Sequence, residues 1–197
     1  MSSTTRDRIV QTAMQLFCEK GYGTTSIADI LKAAEVNSGS LYHFFPGKQD
    51  LLLAVLDAYV TCLHPMLLEP AWKGVDDPVE RVFALMAKYR ELIVQTDCMY
   101  GCPIGSIALE IHEPDPPVRE KLAANFTGWT RAIQSCIEAA KLAKGEDAQA
   151  LAEFVLCTME GGVMQARTHR DVAYFDRAID QLRLYFKLLQ AKERRGK

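Results

Sequence analysis

Several features that define large classes of protein are absent from this sequence. Charged residues interrupt its apolar runs well before about 18 consecutive positions, the length at which a run predicts a membrane-spanning helix. Residues 1–6 are polar and include none of the apolar core of a secretory signal peptide. We therefore expect a cytoplasmic protein that has no membrane partner.

Sequence signatures of cofactor and metal sites are equally scarce. The 197 residues contain no glycine-rich phosphate-binding loop. Cys98 and Cys102 lack the second pair of cysteines or histidines that a zinc site needs, and His112 stands alone. The six cysteines, at positions 18, 62, 98, 102, 136 and 157, are spread through apparent helices, which is not the pattern of a disulfide framework. These observations predict no metal, no cofactor and no enzymatic activity.

Positive charge is not in excess either. The formal net charge is -2, and residues 1–50 contain five Lys or Arg and five Asp or Glu. Nucleic-acid-binding domains usually carry a basic patch that contacts phosphate groups. If this protein binds DNA, it must do so with a few locally placed charges rather than with a high overall positive charge.

Amphipathic helix patterns dominate the chain, because apolar residues recur at the 3.6-residue period and alternating strand patterns are few. We therefore predict an all-α protein. Ser26 and Asp29 form a capping-box pattern, a hydroxyl residue followed three positions later by an acid, at the start of a short helix. The predicted helices cover about residues 4–20, 27–34, 38–44, 48–68, 104–112, 146–169 and 172–192, with two further helix starts at 77–80 and 114–117.

The first fifty residues have the arrangement of a helix-turn-helix unit. Two short helices, 27–34 and 38–44, are joined by a three-residue turn and follow a longer helix. The small residues Ser38 to Ser40 let the backbone approach a phosphate group or a base edge closely. Tyr42 and His43 are expected on the outer face, where they donate to phosphates or touch a thymine methyl group. Three large apolar residues are expected to pack inward: Leu41, Phe44 and Phe45.

These segments resemble the DNA-binding domain of the TetR family of bacterial transcriptional regulators. The resemblance runs without gaps through residues 6–56 and rests on Thr24-Thr25-Ser26-Ile-Ala-Asp-Ile30, Ala34-Glu-Val36 and Gly39-Ser-Leu-Tyr-His-Phe-Phe-Pro-Gly-Lys48, followed by Leu51-Leu52. It implies an N-terminal three-helix helix-turn-helix DNA-binding domain, residues 1–48, and a larger helical effector-binding and dimerisation domain, residues 49–197. The predicted DNA-binding residues are Thr25, Ser26, Ser38, Gly39, Ser40, Tyr42, His43 and Lys48.

Two positions depart from the pattern of that family. Ser38 stands where a basic residue is common, and Ser40 stands where threonine is common. A short hydroxyl side chain specifies less than a bidentate one, so the base preference stays open. An alternative also stays open in which Tyr42 and His43 only cap their helix and pack on the fourth helix. The neutral charge of residues 1–50 leaves open a further alternative, a helical interaction module that has lost DNA binding.

The last helix carries more apolar surface than one intramolecular core requires. One stripe consists of Phe175, Ile179, Leu182, Phe186 and Leu189, and a second consists of Tyr174, Ala178, Tyr185 and Leu188. The preceding helix offers Ala148, Ala152, Val155, Met159, Gly162 and Ala166. The two helices are predicted to form half of a four-helix bundle between two chains, the alternative being that both stripes face one monomer's core. A homodimer suits DNA recognition, because two recognition helices read a palindromic operator.

Large apolar residues with a few polar tips occupy the middle helices, as in the lining of a pocket for a small apolar ligand. The candidate ligand-binding residues are Phe83, Met86, Tyr89, Ile107, Phe126, Trp129 and Met159. Ordinary core packing produces the same pattern and stays open as the alternative. The family resemblance implies a cavity whose filling releases DNA. Residues 101–110 more specifically resemble the LmrA/YxaF-like subgroup, which implies a drug-like or aromatic effector.

Cys102 and Cys98 are candidate redox-active residues. Cys102 immediately precedes a predicted helix, whose dipole lowers the pKa of a thiol at its N-terminus. The thiol is therefore a candidate sensor of electrophiles or oxidants, and some regulators resembling this chain have a cysteine at a similar position. The alternatives are an inert buried cysteine and a thiol-redox enzyme, although no base is evident near the two cysteines.

The sequence thus predicts a homodimeric transcriptional regulator, a repressor, that binds double-stranded DNA and is released by a small apolar or aromatic effector. Such an effector must bind the DNA-free state and the DNA-bound state with different affinities, because equal affinities leave the equilibrium unchanged.

Overall fold

The computed structural model describes residues 4–143 and 145–195, which form helices and connecting turns with no β-strand among them. The prediction of an all-α protein is confirmed. The α-helices are α1 (Thr5–Lys20), α2 (Ile27–Ala34), α3 (Ser38–Phe44), α4 (Lys48–Leu63), α5 (Glu69–Trp72), α6 (Pro78–Gln95), α7 (Pro103–Glu110), α8 (Pro116–Ala139), α9 (Gly145–His169) and α10 (Ala173–Arg195).

Side-chain caps explain where the N-terminal helices begin. At α2, the hydroxyl of Ser26 accepts from the backbone N–H of Asp29, and the Asp29 carboxylate accepts from the N–H of Ser26, so the predicted capping box is confirmed. At α3, the Asn37 side chain accepts a 2.8 Å hydrogen bond from the N–H of Ser40. Both caps satisfy backbone donors that have no partner within their helix.

The long helix predicted from 48 to 68 changes its hydrogen-bonding pattern before its end. α4 stops at Leu63, and His64–Leu68 forms a π-helical turn before α5. Pro65 lies in this turn and provides the physical reason. Proline has no N–H to donate and collides with the carbonyl four residues earlier in a regular α-helix, whereas a wider turn relieves that collision.

The continuous helical stretch Lys48–Trp72 is also long and apolar enough to cross a membrane, judged by length and composition only. The sequence predicts no membrane span, because charges such as Asp57 interrupt its apolar runs. Apolar helices of soluble proteins satisfy the same criteria of length and composition, so this stretch is weak evidence for a membrane location.

The helices form two compact units, and the first consists of Met1–Thr61 together with Pro103–Asn125. Within it, α1 packs on α2, α3 and α7. This unit extends beyond the predicted DNA-binding domain, residues 1–48, and that domain boundary stays a prediction. Residues 1–3 and 196–197, at the ends of the two predicted domains, lie outside the described residues. The buried apolar residues of the first unit are Ile9, Val10, Ala13, Leu16, Phe17, Ile30, Ala34, Leu41, Phe45, Leu51, Leu52, Val55, Leu56, Ile104, Ile107, Val118 and Leu122.

The second unit, Cys62–Cys102 with Phe126–Lys197, is built around α6, α9 and α10. The Arg90 guanidinium donates to the Asp176 carboxylate over 2.6 and 2.8 Å, which joins α6 to α10. Arg183 of α10 donates to the Glu80 carboxylate of α6 over 2.8 and 3.0 Å. These pairs are exposed to solvent, and each contributes about 1 kcal/mol or less, so most of the stability comes from apolar burial.

The predicted stripe of small residues on α9 is buried inside the second unit. At Gly162, a Cβ atom would lie only 3.1 Å from Cδ2 of Phe175 in α10. The missing side chain therefore allows α9 and α10 of one chain to pack closely. The stripe is therefore not available to a second chain, and the four-helix bundle predicted between two chains stays a prediction that must use another face of α9 and α10.

Candidate functional site

The exposed face of α3 holds most of the predicted DNA-binding residues. Ser38, Gly39 and His43 are exposed, Ser40 is partly buried, and the side chain of Tyr42 is 51% exposed. An open concavity of about 540 Å³ lies along this face, lined by Thr5, Asn37, Gly39, Ser40, His43 and Phe44. The sequence did not indicate Thr5, which α1 brings to this concavity. Hydroxyl, amide and imidazole groups therefore lie together on one surface, where they can contact phosphates and base edges.

The inner face of α3 anchors the helix to its unit. Leu41 is fully buried and Phe45 is 3% exposed, as expected, but Phe44 is 38% exposed and contacts the ring of His43 at a centroid distance of 4.9 Å. The expectation that Phe44 packs inward is therefore wrong. Phe45 leaves the helix with an extended backbone, φ -136° and ψ 103°, which directs its side chain into the core and leaves the outer position to Phe44.

Thr25 and Ser26 use their hydroxyl groups within the protein. The Thr25 side chain is fully buried and donates to the carbonyl oxygens of Gly21, at 2.7 Å, and Leu16, at 3.2 Å. The Ser26 hydroxyl is exposed, accepts from the N–H of Asp29 and donates to its carboxylate. These hydrogen bonds from Ser26 lower the pKa of Asp29. Both hydroxyl groups therefore shape the start of α2.

Lys48, predicted to contact phosphate, binds the turn between α1 and α2 in this structure. Its Nζ donates to the carbonyl oxygen of Tyr22 and lies 4.3 Å from the centroid of the Tyr22 ring. Partial burial lowers the pKa of Lys48, and the nearby charge of Glu110 acts in the opposite direction. Burial and the Glu110 charge together raise the pKa of the Tyr22 hydroxyl.

Glu110, the last residue of α7, is a contact of this turn that the sequence did not indicate. Its carboxylate accepts from the backbone N–H of Tyr22 at 2.8 Å and from that of Gly23 at 2.5 Å. The partners are 87 and 88 residues apart in the chain, so no local pattern points to the contact. In the sequence, residues 101–110 were notable only for their resemblance to the LmrA/YxaF-like subgroup.

The candidate ligand-binding residues are distributed over the two units. Ile107 belongs to the first unit, whereas the other candidates belong to the second. The ring of Phe83 packs on Phe186 of α10 at 5.3 Å, and Arg183 covers its face. The side chains of Met86 and Met159 are also buried.

Tyr89 and Trp129 make the aromatic contact between α6 and α8 in the second unit. Their ring centroids are 5.7 Å apart in an edge-to-face arrangement, and both side chains are buried. Phe126, one turn before Trp129 on α8, is partly buried. Two aromatic rings, one carrying a phenol and one an indole N–H, therefore lie buried side by side in the second unit.

The two candidate redox cysteines differ in their surroundings. Burial and the charges of Asp97 and Asp171 raise the pKa of the Cys98 thiol, which disfavours its thiolate form. The Cys102 thiol is buried and donates a hydrogen bond to Glu160 of α9. Burial raises the pKa of Glu160, and the hydrogen bond from Cys102 opposes that change. The base that the sequence lacked near Cys102 is thus supplied by a residue 58 positions later.

A second face of α9 and α10 exposes large apolar side chains. Phe154 and Tyr185 are in edge-to-face contact at 5.8 Å, and both are about half exposed. Met164 of α9 and Leu184 and Leu188 of α10 are also exposed. Large exposed apolar side chains on two neighbouring helices are typical of an interface. We call these five residues the α9–α10 apolar face.

The residues described contain no group of three or more His, Cys, Asp or Glu side chains that could hold a metal ion. Within the described residues, the polar side chains named above mainly form helix caps, ion pairs or hydrogen bonds to the turn between α1 and α2.

Comparison with known protein families matches both halves of the sequence. Residues 9–55 match a family described as bacterial regulatory proteins, tetR family. Residues 78–181 match a family described as the C-terminal domain of LmrA/YxaF-like transcriptional regulators. Both matches agree with the resemblance identified from the sequence.

Individual relatives cover nearly the full chain. Rv0196, an uncharacterised HTH-type transcriptional regulator of Mycobacterium tuberculosis, is 32% identical over 183 residues, covering 90% of this chain and 92% of its own. The HTH-type transcriptional repressor DhaR of Mycobacterium sp. is 27% identical over 170 residues, covering 84% of each chain. The crystal structure of the regulatory protein TetR from Rhodobacter sphaeroides superposes with a TM-score of 0.79 at 26% identity, covering 88% of this chain and 94% of the other.

Proposed function

Because the chain belongs to the TetR family of bacterial transcriptional regulators, we propose that it represses transcription by binding a palindromic DNA operator as a homodimer until a small-molecule effector releases it. Membership of the family makes it a helix-turn-helix, DNA-binding regulator and not an enzyme. Repression is suggested by the name of the relative DhaR, a transcriptional repressor. Such a regulator acts on chromosomal DNA, which places it in the cytoplasm.

The observation that carries the proposal is the exposed polar face of α3. Ser38, Tyr42 and His43 project from a helix of seven residues whose inner face is anchored by Leu41 and Phe45. An α-helix with its side chains is about 10–12 Å in diameter, which fits the major groove, about 12 Å wide. The buried Thr25 hydroxyl is removed from the proposed set of direct contacts, whereas Ser26 and Lys48 stay in that set although their polar groups also hold the start of α2.

The dimer is supported by the α9–α10 apolar face. Side chains such as Phe154 and Leu188 cost free energy when they remain in water, and a two-fold related copy would cover them with the same residues. Two α3 helices then contact successive half-sites, and the effector acts by favouring a state in which those helices no longer match the operator.

The effector is proposed to be an apolar or aromatic molecule recognised near Tyr89 and Trp129. The edge-to-face pair supplies two aromatic surfaces, a phenol and an indole N–H in the second unit. A planar apolar molecule packs against aromatic surfaces of this kind.

A thiol-responsive regulator acting through Cys102 is a second candidate. The hydrogen bond between Cys102 and Glu160 favours it, because a carboxylate whose pKa is raised by burial accepts a thiol proton more readily. In this variant of the proposal, an electrophile that bonds to the Cys102 sulfur replaces the reversible effector. A thiol-redox enzyme is excluded by family membership.

The α3 assignment is tested with a DNA duplex that the wild-type protein selects from a random library. We expect Tyr42→Ala and His43→Ala each to weaken binding by about tenfold, equivalent to ~1.4 kcal/mol. The reason is that each substitution removes a hydrogen-bonding side chain from the exposed face of α3. The measurement is a binding isotherm by fluorescence anisotropy at fixed salt concentration.

His112→Ala is the matched control for this experiment, because His112 is exposed and lies outside α3. It should bind the selected duplex as tightly as the wild type does. Equal affinities for Tyr42→Ala, His43→Ala and wild type would show that α3 does not contact the operator through this face.

A further inference from the structure

The turn between α1 and α2 is held by one of its own side chains and by side chains from two other parts of the first unit. The Thr25 hydroxyl fixes the turn to the end of α1 by donating to the carbonyl oxygens of Leu16 and Gly21. Lys48 Nζ donates to the carbonyl oxygen of Tyr22 and, at 3.4 Å, to that of Gly23. Glu110 accepts hydrogen bonds from the N–H groups of the same two residues. The Lys48 ammonium group therefore donates to two carbonyl groups of this turn, and the Glu110 carboxylate accepts from two of its N–H groups.

The backbone of the turn is shaped to admit the Glu110 carboxylate. A Cβ atom on Gly23 would lie 2.7 Å from Oε1 of Glu110, a distance that Cβ contacts essentially never show. Gly21, with φ of +90°, places its own missing Cβ 3.2 Å from both carboxylate oxygens. Two glycines thus leave space for an acidic side chain, and two N–H groups converge on it. Hydrogen bonds from N–H groups to an ionised carboxylate are stronger than those to a neutral oxygen.

The location of the turn gives this contact its importance for DNA binding. Ser26, the residue that caps α2, follows Gly23 by three positions, so the turn sets where the helix-turn-helix begins. Glu110, however, lies within residues 78–181, which match the C-terminal family, and the turn lies within residues 9–55, which match the N-terminal family. α7 begins directly after Cys102, at the point where the chain passes from the second unit into the first.

We propose that Glu110 is a positioning residue for DNA binding, whose carboxylate holds the turn between α1 and α2 in the geometry that the operator requires. The contact places the helix-turn-helix under the control of α7, an element of the C-terminal region. Release of the carboxylate lets the start of α2 move and weakens operator binding. This inference rests on the proposed DNA-binding function.

The first experiment compares Glu110→Ala, Glu110→Gln and wild type on the duplex selected by the wild-type protein. Glu110→Ala removes both hydrogen bonds, and we expect operator binding to weaken roughly tenfold. Glutamine keeps the length of the side chain but has one acceptor oxygen, so Glu110→Gln should fall between alanine and wild type. Glu113→Ala, an exposed glutamate three residues away, is the control and should bind normally.

The second experiment uses Gly23→Ala to displace the same carboxylate from the other side. The added methyl group collides with the end of a flexible side chain, which can swing away, so the fold survives while the contact is lost. Gly23→Ala should therefore weaken DNA binding about as much as Glu110→Ala. The double variant should be no weaker than either single variant, because both substitutions remove one interaction.

A structural readout separates positioning from a general loss of stability. In nitrogen-15 NMR spectra, the amide protons of Tyr22 and Gly23 should shift upfield in Glu110→Gln, while the thermal unfolding midpoint changes little. The proposal is overturned if Glu110→Ala and Gly23→Ala bind the duplex like wild type, or if their effects on affinity simply add. If the wild-type protein selects no duplex at all, the proposed function fails instead, and the two failures are thereby distinguished.

Discussion

The chemistry of Cys102 depends on one neighbouring side chain. Glu160 accepts the hydrogen bond of the thiol, and its pKa is raised by burial, so it can take up the thiol proton when the sulfur bonds to an electrophile. Burial and two acidic residues raise the pKa of the Cys98 thiol, which disfavours its thiolate form. Cys102 is the sulfur to which this candidate assigns the response, because its thiol is hydrogen-bonded to a carboxylate.

The thiol-responsive candidate predicts that N-ethylmaleimide abolishes DNA binding by the wild-type protein and leaves binding by Cys102→Ser intact. Cys157 is exposed and will also be alkylated, so Cys157→Ser is the necessary control. That variant should still lose DNA binding on treatment. The measurement is anisotropy of the selected duplex before and after alkylation, and loss of binding by treated Cys102→Ser would eliminate this role for the thiol.

At the scale of single helices, the α9–α10 apolar face supplies the clearest prediction. Leu188 is 68% exposed on α10, and Leu188→Asp would place a charge in the proposed interface, where its desolvation opposes association. We expect the variant to be monomeric at micromolar concentration, where the wild type is dimeric, as measured by analytical ultracentrifugation.

Leu109→Asp controls for the introduction of a surface charge at an exposed leucine. Leu109 is 73% exposed on α7 and is not part of the α9–α10 apolar face. This control should remain dimeric. A Leu188→Asp variant that sediments as the wild type does would mean that the apolar face serves some purpose other than dimerisation.

Helix positions were largely predictable because the signals that begin and end helices are local. The capping box at Ser26 and the proline at the start of α6 are recognisable within four residues of sequence. The π-helical turn at Pro65 was missed, since the same apolar period continues through it. The outward position of Phe44 was missed as well, because it depends on the extended backbone of the next residue.

The residues that contact the candidate sites from other helices were less predictable, because they come from distant parts of the chain. Glu110 reaches the turn between α1 and α2 across 87 residues, and Glu160 reaches Cys102 across 58. Periodicity and capping patterns carry no information on such contacts. The burial of the small residues of α9 was not predictable for the same reason. A stripe of small residues does not indicate which helix packs against it.

At the scale of the molecule, the first unit is not one continuous stretch of the chain. The first unit contains the helix-turn-helix and also Pro103–Asn125, which follows a long segment of the second unit. A DNA-binding unit built in this way takes part of its structure from the C-terminal sequence. Under the proposed function, α7 and Glu110 connect the C-terminal sequence to the start of the helix-turn-helix by a covalent and a hydrogen-bonded path.

The central claim, that two copies of this chain bind one palindromic operator, is tested most directly by the stoichiometry of the wild-type protein on its selected duplex. Sedimentation of the complex should give two chains per duplex, and the selected sequence should contain two inverted half-sites centred about 34–36 Å apart or a multiple of that distance. Affinity should fall as salt concentration rises, because phosphate contacts release counterions. A single chain per duplex, or a selected sequence without inverted half-sites, would contradict the account.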